Sequence, residues 1–206
     1  KISHRRKAIN ELKIKLNKGV FMARVKYVEY EEAQGKVKEA FDEQIKKSGS
    51  ITNMKKALLN DYATYDAFMG WYVSFGRLVE IVGKRAAMIL AHSVSTTNGC
   101  MLCSLFFIRD LKAIGDNPKN LKLDEKEKLL SELGMQMVKD PNAVSDELIN
   151  NLKKHFSDSE IVTIVGFAAQ MMATNNFNAV LKIDLDDSLV PIADEFEKET
   201  WRAKNK

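Results

Sequence analysis

The chain has 206 residues, 45% of them apolar and 29% charged, which suits a globular protein with a buried core and argues against a disordered or fibrous one. No run reaches the roughly 18 uninterrupted apolar residues of a membrane span; the nearest, Ile161 to Ala173, is short and contains Gln170. The formal charge of +4 is no mark of a nucleic-acid binder: residues 1–21 hold a net +6, leaving 25 basic and 27 acidic residues, net −2, in the remainder.

That basic leader (Lys1, Arg5, Arg6, Lys7, Lys13, Lys15 and Lys18 against Glu11) lacks the aromatic interleaving of a nucleic-acid surface and the serines of a transit peptide. We read residues 1–21 as a disordered or tag-like extension to a protein that opens at Met22-Ala23-Arg24-Val25, and residues 22–206 as one domain.

From Glu31 to Lys47 the pattern is helical, with Ala33, Val37, Phe41 and Ile45 recurring every four residues and Ser48-Gly49-Ser50 ending the run. A short helix over Met54–Leu59 follows, then a longer one over Asp61–Leu78, whose aromatics (Tyr62, Tyr65, Phe68, Trp71, Tyr72, Phe75) read as core or subunit interface. Arg85–Thr96 is predicted to bury Ala86, Ile89, Leu90 and Val94, with His92 off that stripe and partly exposed. Cys100–Ile114 is apolar on all sides in its first half and closes at Gly115. Asp116-Asn117-Pro118 forms a loop, Asp124 caps Glu125–Lys139, and Ser145 starts a helix running through Lys154. Ser157 and Glu160 form a capping box opening a long helix that carries Asn175, Asn176 and Asn178 late in its course. An acidic turn over Asp184–Asp187 leads to a last helix, Leu189–Trp201, with Pro191 in its first turn. No stretch alternates with period two, so the fold class is all-α.

Both cysteines lie at the Asn98-Gly99 break, at the head of the apolar helix. A thiol in the first helical turn has its thiolate stabilised by the dipole, and a Cys-x-x-Cys there can carry a reversible disulfide. The same two residues also suit a role as small buried hydrophobes. A zinc site wants about four ligands, and His4, His92 and His155 are too scattered to supply a second pair, so no metal and no cofactor are expected. His92 is the candidate proton shuttle to the thiols. Two cysteines make no secreted disulfide framework, which places the protein in the cytoplasm.

The segment Lys84-Arg85-Ala86-Ala87-Met88 through Asn98-Gly99-Cys100-Met101-Leu102-Cys103 resembles the signature helix and turn of the carboxymuconolactone decarboxylase superfamily, in its alkylhydroperoxidase D-like branch. Phe156–Val162, Asn175–Asn178 and the opening Met22–Val25 look like its peroxidase-related members. The resemblance implies an alkylhydroperoxidase D-like helical bundle assembled as a trimer or hexamer, acting on a peroxide or disulfide and served by a dithiol electron donor. It implies Cys103 as the attacking thiol and Cys100 as the resolving one. The family's glutamate and histidine relay is missing: Met88 and Phe107 stand at those positions, and Glu80 and His92 are the nearest replacements. Three functions follow: a thiol-dependent peroxidase or disulfide reductase, a degenerate helical oligomer binding a small apolar ligand or partner, and a non-redox lyase relying on His92 and Arg85. No membrane or nucleic-acid partner is expected.

Overall fold

The structure is a computed structural model and describes residues 23–198. The expectations for residues 1–21, for Met22 and for the far end of the last helix at Trp201 lie outside the described residues.

Among the described residues the chain is all-helical, with no strand. Helix α1 (Gly35–Ser48) starts later than predicted, because Gly35 at φ +51° breaks the path and Tyr30–Glu32 form a separate 3-10 turn. Its buried face is Ala40, Phe41 and Gln44, whereas Ile45 is 41% exposed. Thr52 caps α2 (Asn53–Leu58) and Asp61 caps α3 (Tyr62–Val82), which runs four residues past its predicted end. These three helices enclose a small cluster of Phe41, Leu58, Leu59 and Tyr65.

Helix α4 (Lys84–Asn98) is the axis of the larger core. It packs against α3, α5 (Met101–Ala113), α6 (Glu125–Lys139) and α8 (Asp158–Leu181). The predicted stripe is buried, but so is every residue from Ala86 to Thr97. His92, expected to be partly exposed, is 0% exposed, because neighbours cover α4 on every side. Two buried serines of α4 donate back into the helix, Ser93 to Ile89 O at 2.9 Å and Ser95 to Ala91 O at 2.8 Å, so burial leaves these two satisfied, whereas Thr97 Oγ1 is buried with no partner among the described residues. Gly134 lets α6 lie close: a Cβ there would come within 3.1 Å of both Leu90 and Val94.

The remaining boundaries follow their caps. Asp124 with Glu127, and Ser157 with Glu160, form complete capping boxes at α6 and α8, and Ser145 caps α7 (Asp146–Lys153). Beyond α8, Asp186 accepts the Asn53 amide at 2.7 Å and Asp184 accepts the Tyr27 hydroxyl at 2.9 Å, tying the acidic turn to the front of the chain. The last element is a 3-10 stretch over Val190–Glu195, shorter than the helix predicted from Leu189. It lies across α5, where Glu195 pairs with Lys112 at 2.8 Å and Ile192 and Phe196 reach the core; Ile192 leaves helical geometry at φ −112°. No helix among the described residues is long and apolar enough to cross a membrane.

Candidate active site

Helix α4 stops at Gly99, whose φ of +76° is costly for any side-chain-bearing residue. The Gly99 and Cys100 amides donate to Thr96 O and Ser95 O at 3.1 and 2.9 Å, satisfying the last carbonyls. Cys100 then caps α5, its Sγ accepting the Cys103 amide at 3.5 Å. Both thiols are free and buried.

A third group comes from α8. Asn178, 4% exposed, donates from Nδ2 to Cys103 Sγ at 3.2 Å. Asn175 accepts the Ser95 hydroxyl at 3.3 Å, and Asn176 accepts the Asn98 amide at 3.1 Å, so three asparagines fasten α8 to the end of α4 and the first turn of α5. Asn178 Oδ1 and Asn175 Nδ2 are buried with no partner among the described residues.

The two sulfurs differ in what surrounds them. The Cys103 thiol donates to Cys100, and this bond, the α5 backbone amides and Asn178 pull Cys100 below the ordinary thiol value despite burial. Cys103 is pushed well above it, by giving its proton to Cys100, by burial and by the charge on its neighbour.

Burial pushes His92 down to about 3, so its imidazole is neutral at pH 7 and far too weak a base for a thiol. Met88 and Phe107 are buried, in keeping with their apolar side chains. Glu80 is on the surface of α3, paired with Arg77 at 2.9 Å. Arg85 sits in the first turn of α4, about 20 Å along the helix from the thiols at 1.5 Å per residue. There it is clamped by Asp116 at 2.6 Å, by Glu127 and by Lys122 O at 3.2 Å.

Asn178 is the residue that sequence reasoning leaves without a role. Its signal is three asparagines late in an otherwise apolar helix, since a buried amide is costly unless something pairs with it. Among the described residues no group of three or more His, Cys, Asp or Glu is placed to hold a metal ion.

A Cys-x-x-Cys at the cap of a buried helix, inside an all-α bundle, defines a dithiol site on a helical scaffold. No family profile and no curated protein sequence matches the chain. Solved structures do. A peroxidase-related protein of Silicibacter sp. TM1040 superposes with a TM-score of 0.64 at 18% identity, over 75% of this chain and 86% of that one. A peroxidase-related protein of Ralstonia eutropha JMP134, described as an alkylhydroperoxidase AhpD core, gives 0.65 at 15% identity, over 81% and 94%. A cysteine-to-alanine variant of the debrominase Bmp8, in complex with 2,3,4-tribromopyrrole, gives 0.69 at 15% identity, over 84% and 97%. The chain has the alkylhydroperoxidase D-like fold.

Proposed function

We propose that the protein is a thiol-dependent peroxidase or disulfide reductase in which Cys100 and Cys103 cycle between dithiol and disulfide. The observation that carries this reading is the convergence of hydrogen-bond donors on the two free sulfurs at the start of α5. With a hydroperoxide, one thiolate takes the terminal oxygen: an S–O bond forms, the O–O bond breaks, and the departing alkoxide takes a proton from water. The second thiol attacks the sulfenic sulfur, an S–S bond forms, and its proton leaves with the hydroxide as water. An external dithiol then reduces the disulfide by exchange. His92, neutral and buried, has no part in this proton path.

The test is peroxide consumption by the parent protein, Cys100→Ser and Cys103→Ser, with dithiothreitol as reductant and the disulfide read by mass spectrometry. A brominated pyrrole serves as a second oxidant, because one structural neighbour is a debrominase. The parent is expected to form the Cys100–Cys103 disulfide and turn over. Serine variants as fast as the parent, or thiols that stay reduced, overturn the reading. Inert thiols would favour a degenerate scaffold that binds a small apolar molecule, a reading supported by Met88 and Phe107 at the relay positions.

We also propose a homo-oligomer, trimer or hexamer, working in the reducing cytoplasm. A shallow groove between α3 and α8 supports the assembly: Val73 and Val162 on its rim are 77% and 72% exposed, with Gly166 in its lining. Light scattering of Val73→Asp is expected to give a smaller species than the parent; a parent that is already monomeric refutes the assembly.

A further inference from the structure

The two ends of the Asn178 amide are used unequally. Nδ2 lies 3.2 Å from Cys103 Sγ, on a side chain that is 4% exposed beside a thiol that is itself 5% exposed. Oδ1 is buried and has no partner among the described residues. A buried acceptor left open is costly, and an open one beside a reactive sulfur marks a place for a donor that a ligand brings. The amide is held in place from both sides: earlier on α8 Asn175 accepts the Ser95 hydroxyl and Asn176 the Asn98 amide, and the Asn178 carbonyl accepts the Ile183 amide at 3.0 Å. A thiolate only accepts hydrogen bonds, so the N–H end is the one that serves a charged sulfur, and the carbonyl end is left for a third group.

We propose that Asn178 is the residue that recognises a hydroperoxide at the dithiol: Nδ2 steadies the charge on Cys103 while Oδ1 accepts the O–H of the incoming hydroperoxide, which sets its terminal oxygen against Cys103 Sγ and favours hydroperoxides over oxidants that carry no O–H. The inference rests on the redox-dithiol reading above and narrows its substrate class. The oxygen that a sulfur attacks in a hydroperoxide is the one that bears the hydrogen. A bond from that hydrogen to Oδ1 therefore positions the attacked atom itself.

The dithiol reacts after losing one proton, and the other proton lies between the two sulfurs and belongs to the pair. As Cys103 attacks, that proton stays with Cys100. An S–O bond forms at Cys103, the O–O bond breaks, and the alkoxide takes a proton from water. The hydrogen held by Oδ1 stays on the transferred oxygen as the sulfenic O–H. Cys100 then attacks the Cys103 sulfur, an S–S bond forms, and hydroxide leaves with the Cys100 proton as water. Asn178 takes up no proton in any step.

Asn178→Leu keeps the approximate shape and removes both ends of the amide, whereas Asn178→Asp removes the donor and keeps an acceptor. Single-turnover loss of free thiol in the full chain is followed with cumene hydroperoxide and with dithiodipyridine, a disulfide that has no O–H. Asn178→Leu is expected to slow the disulfide about tenfold, through the lost donor to a charged sulfur, and the hydroperoxide about 100-fold, through donor and acceptor together. Asn178→Asp is expected to slow both oxidants alike. In Cys100→Ser the hydroperoxide is expected to leave a sulfenic acid on Cys103, trapped by dimedone and located by peptide mass spectrometry. Equal losses in Asn178→Leu overturn the inference, since a merely structural side chain, or an acceptor that only holds a buried water, would slow both oxidants alike. A Cys103 that takes no dimedone overturns it as well. Should Asn178→Leu fail to fold, the near-isosteric Asn178→Asp decides: a larger loss with the hydroperoxide than with the disulfide overturns the inference. A parent that reacts with dithiodipyridine and ignores every hydroperoxide refutes the inference and leaves disulfide exchange standing. A parent inert to both refutes the dithiol reading itself.

Discussion

The two ends of α4 solve the same problem in opposite ways. At its start, the buried Glu127 carboxylate is met by the full charge of Arg85, which also holds Asp116 and so ties α4, α6 and the loop between α5 and α6 together. At its far end, the groups to be held are two buried thiols, and among the described residues no guanidinium, ammonium or charged imidazole is hydrogen-bonded to them. Backbone amides and a neutral carboxamide take that place. A buried ion pair fixes geometry but loses it when one partner goes. Neutral donors can hold a charge that comes and goes during a reaction, because nothing is left uncompensated when the proton returns. The first corner suits stability, and the second suits the chemistry proposed for the dithiol.

The sharpest break of that contrast is at the thiols. Cys100→Ser is expected to lower peroxide consumption about 100-fold or more while leaving the urea midpoint near that of the parent. A large loss of stability instead would make Cys100 a packing residue. At the opposite corner Arg85→Met strands the buried Glu127, and a cost of about 3 kcal/mol is expected in urea unfolding, at the low end for broken buried pairs because Arg85 is part-exposed. The titration of Cys100 should not move in this variant; if it does, the two ends are coupled and the division fails.

His92 gives a pH signature of intermediate size. Its folded-state value, about 3, lies below the unfolded value of about 6.5. Between those values the unfolded chain binds the extra proton, so stability falls as pH drops through that window, by about 1.4 kcal/mol per unit. From pH 7 to pH 5 the expected loss is about 2 kcal/mol by urea unfolding, and His92→Asn should flatten it. An unchanged slope in that variant would assign the acid sensitivity to other groups. The smallest effect is expected at the turn. Gly99→Ala has room for its methyl, the nearest atom being Lys198 Cε at 3.9 Å, so only the left-handed backbone resists it, at about 1 kcal/mol.

Local chemistry makes most of the helices legible in the sequence. Asp124, Ser145 and Ser157 mark their helix starts because a side-chain oxygen must satisfy amides that the helix leaves open, and the same logic bounds Glu125–Lys139. The Asn98-Gly99 break, the cysteines after it and the all-α class are equally visible. The first and last elements depart from the sequence pattern where tertiary demands intervene. Gly35 breaks the path before α1, and the tail is stretched across α5 by Ile192, Phe196 and Glu195 instead of winding on as a helix.

Periodicity describes one face of a helix against solvent. It has no term for a helix covered on every side, and so it leaves His92 half-exposed when α4 buries it completely. By itself the sequence determined where helices begin, where the thiols stand and which family pattern they follow, because those are short-range matters of caps, turns and spacing. Only the tertiary structure decided that Asn178, 75 residues beyond Cys103, would bring its amide to the sulfur. Burial and donor geometry set the balance between two thiols, and both depend on which helices meet.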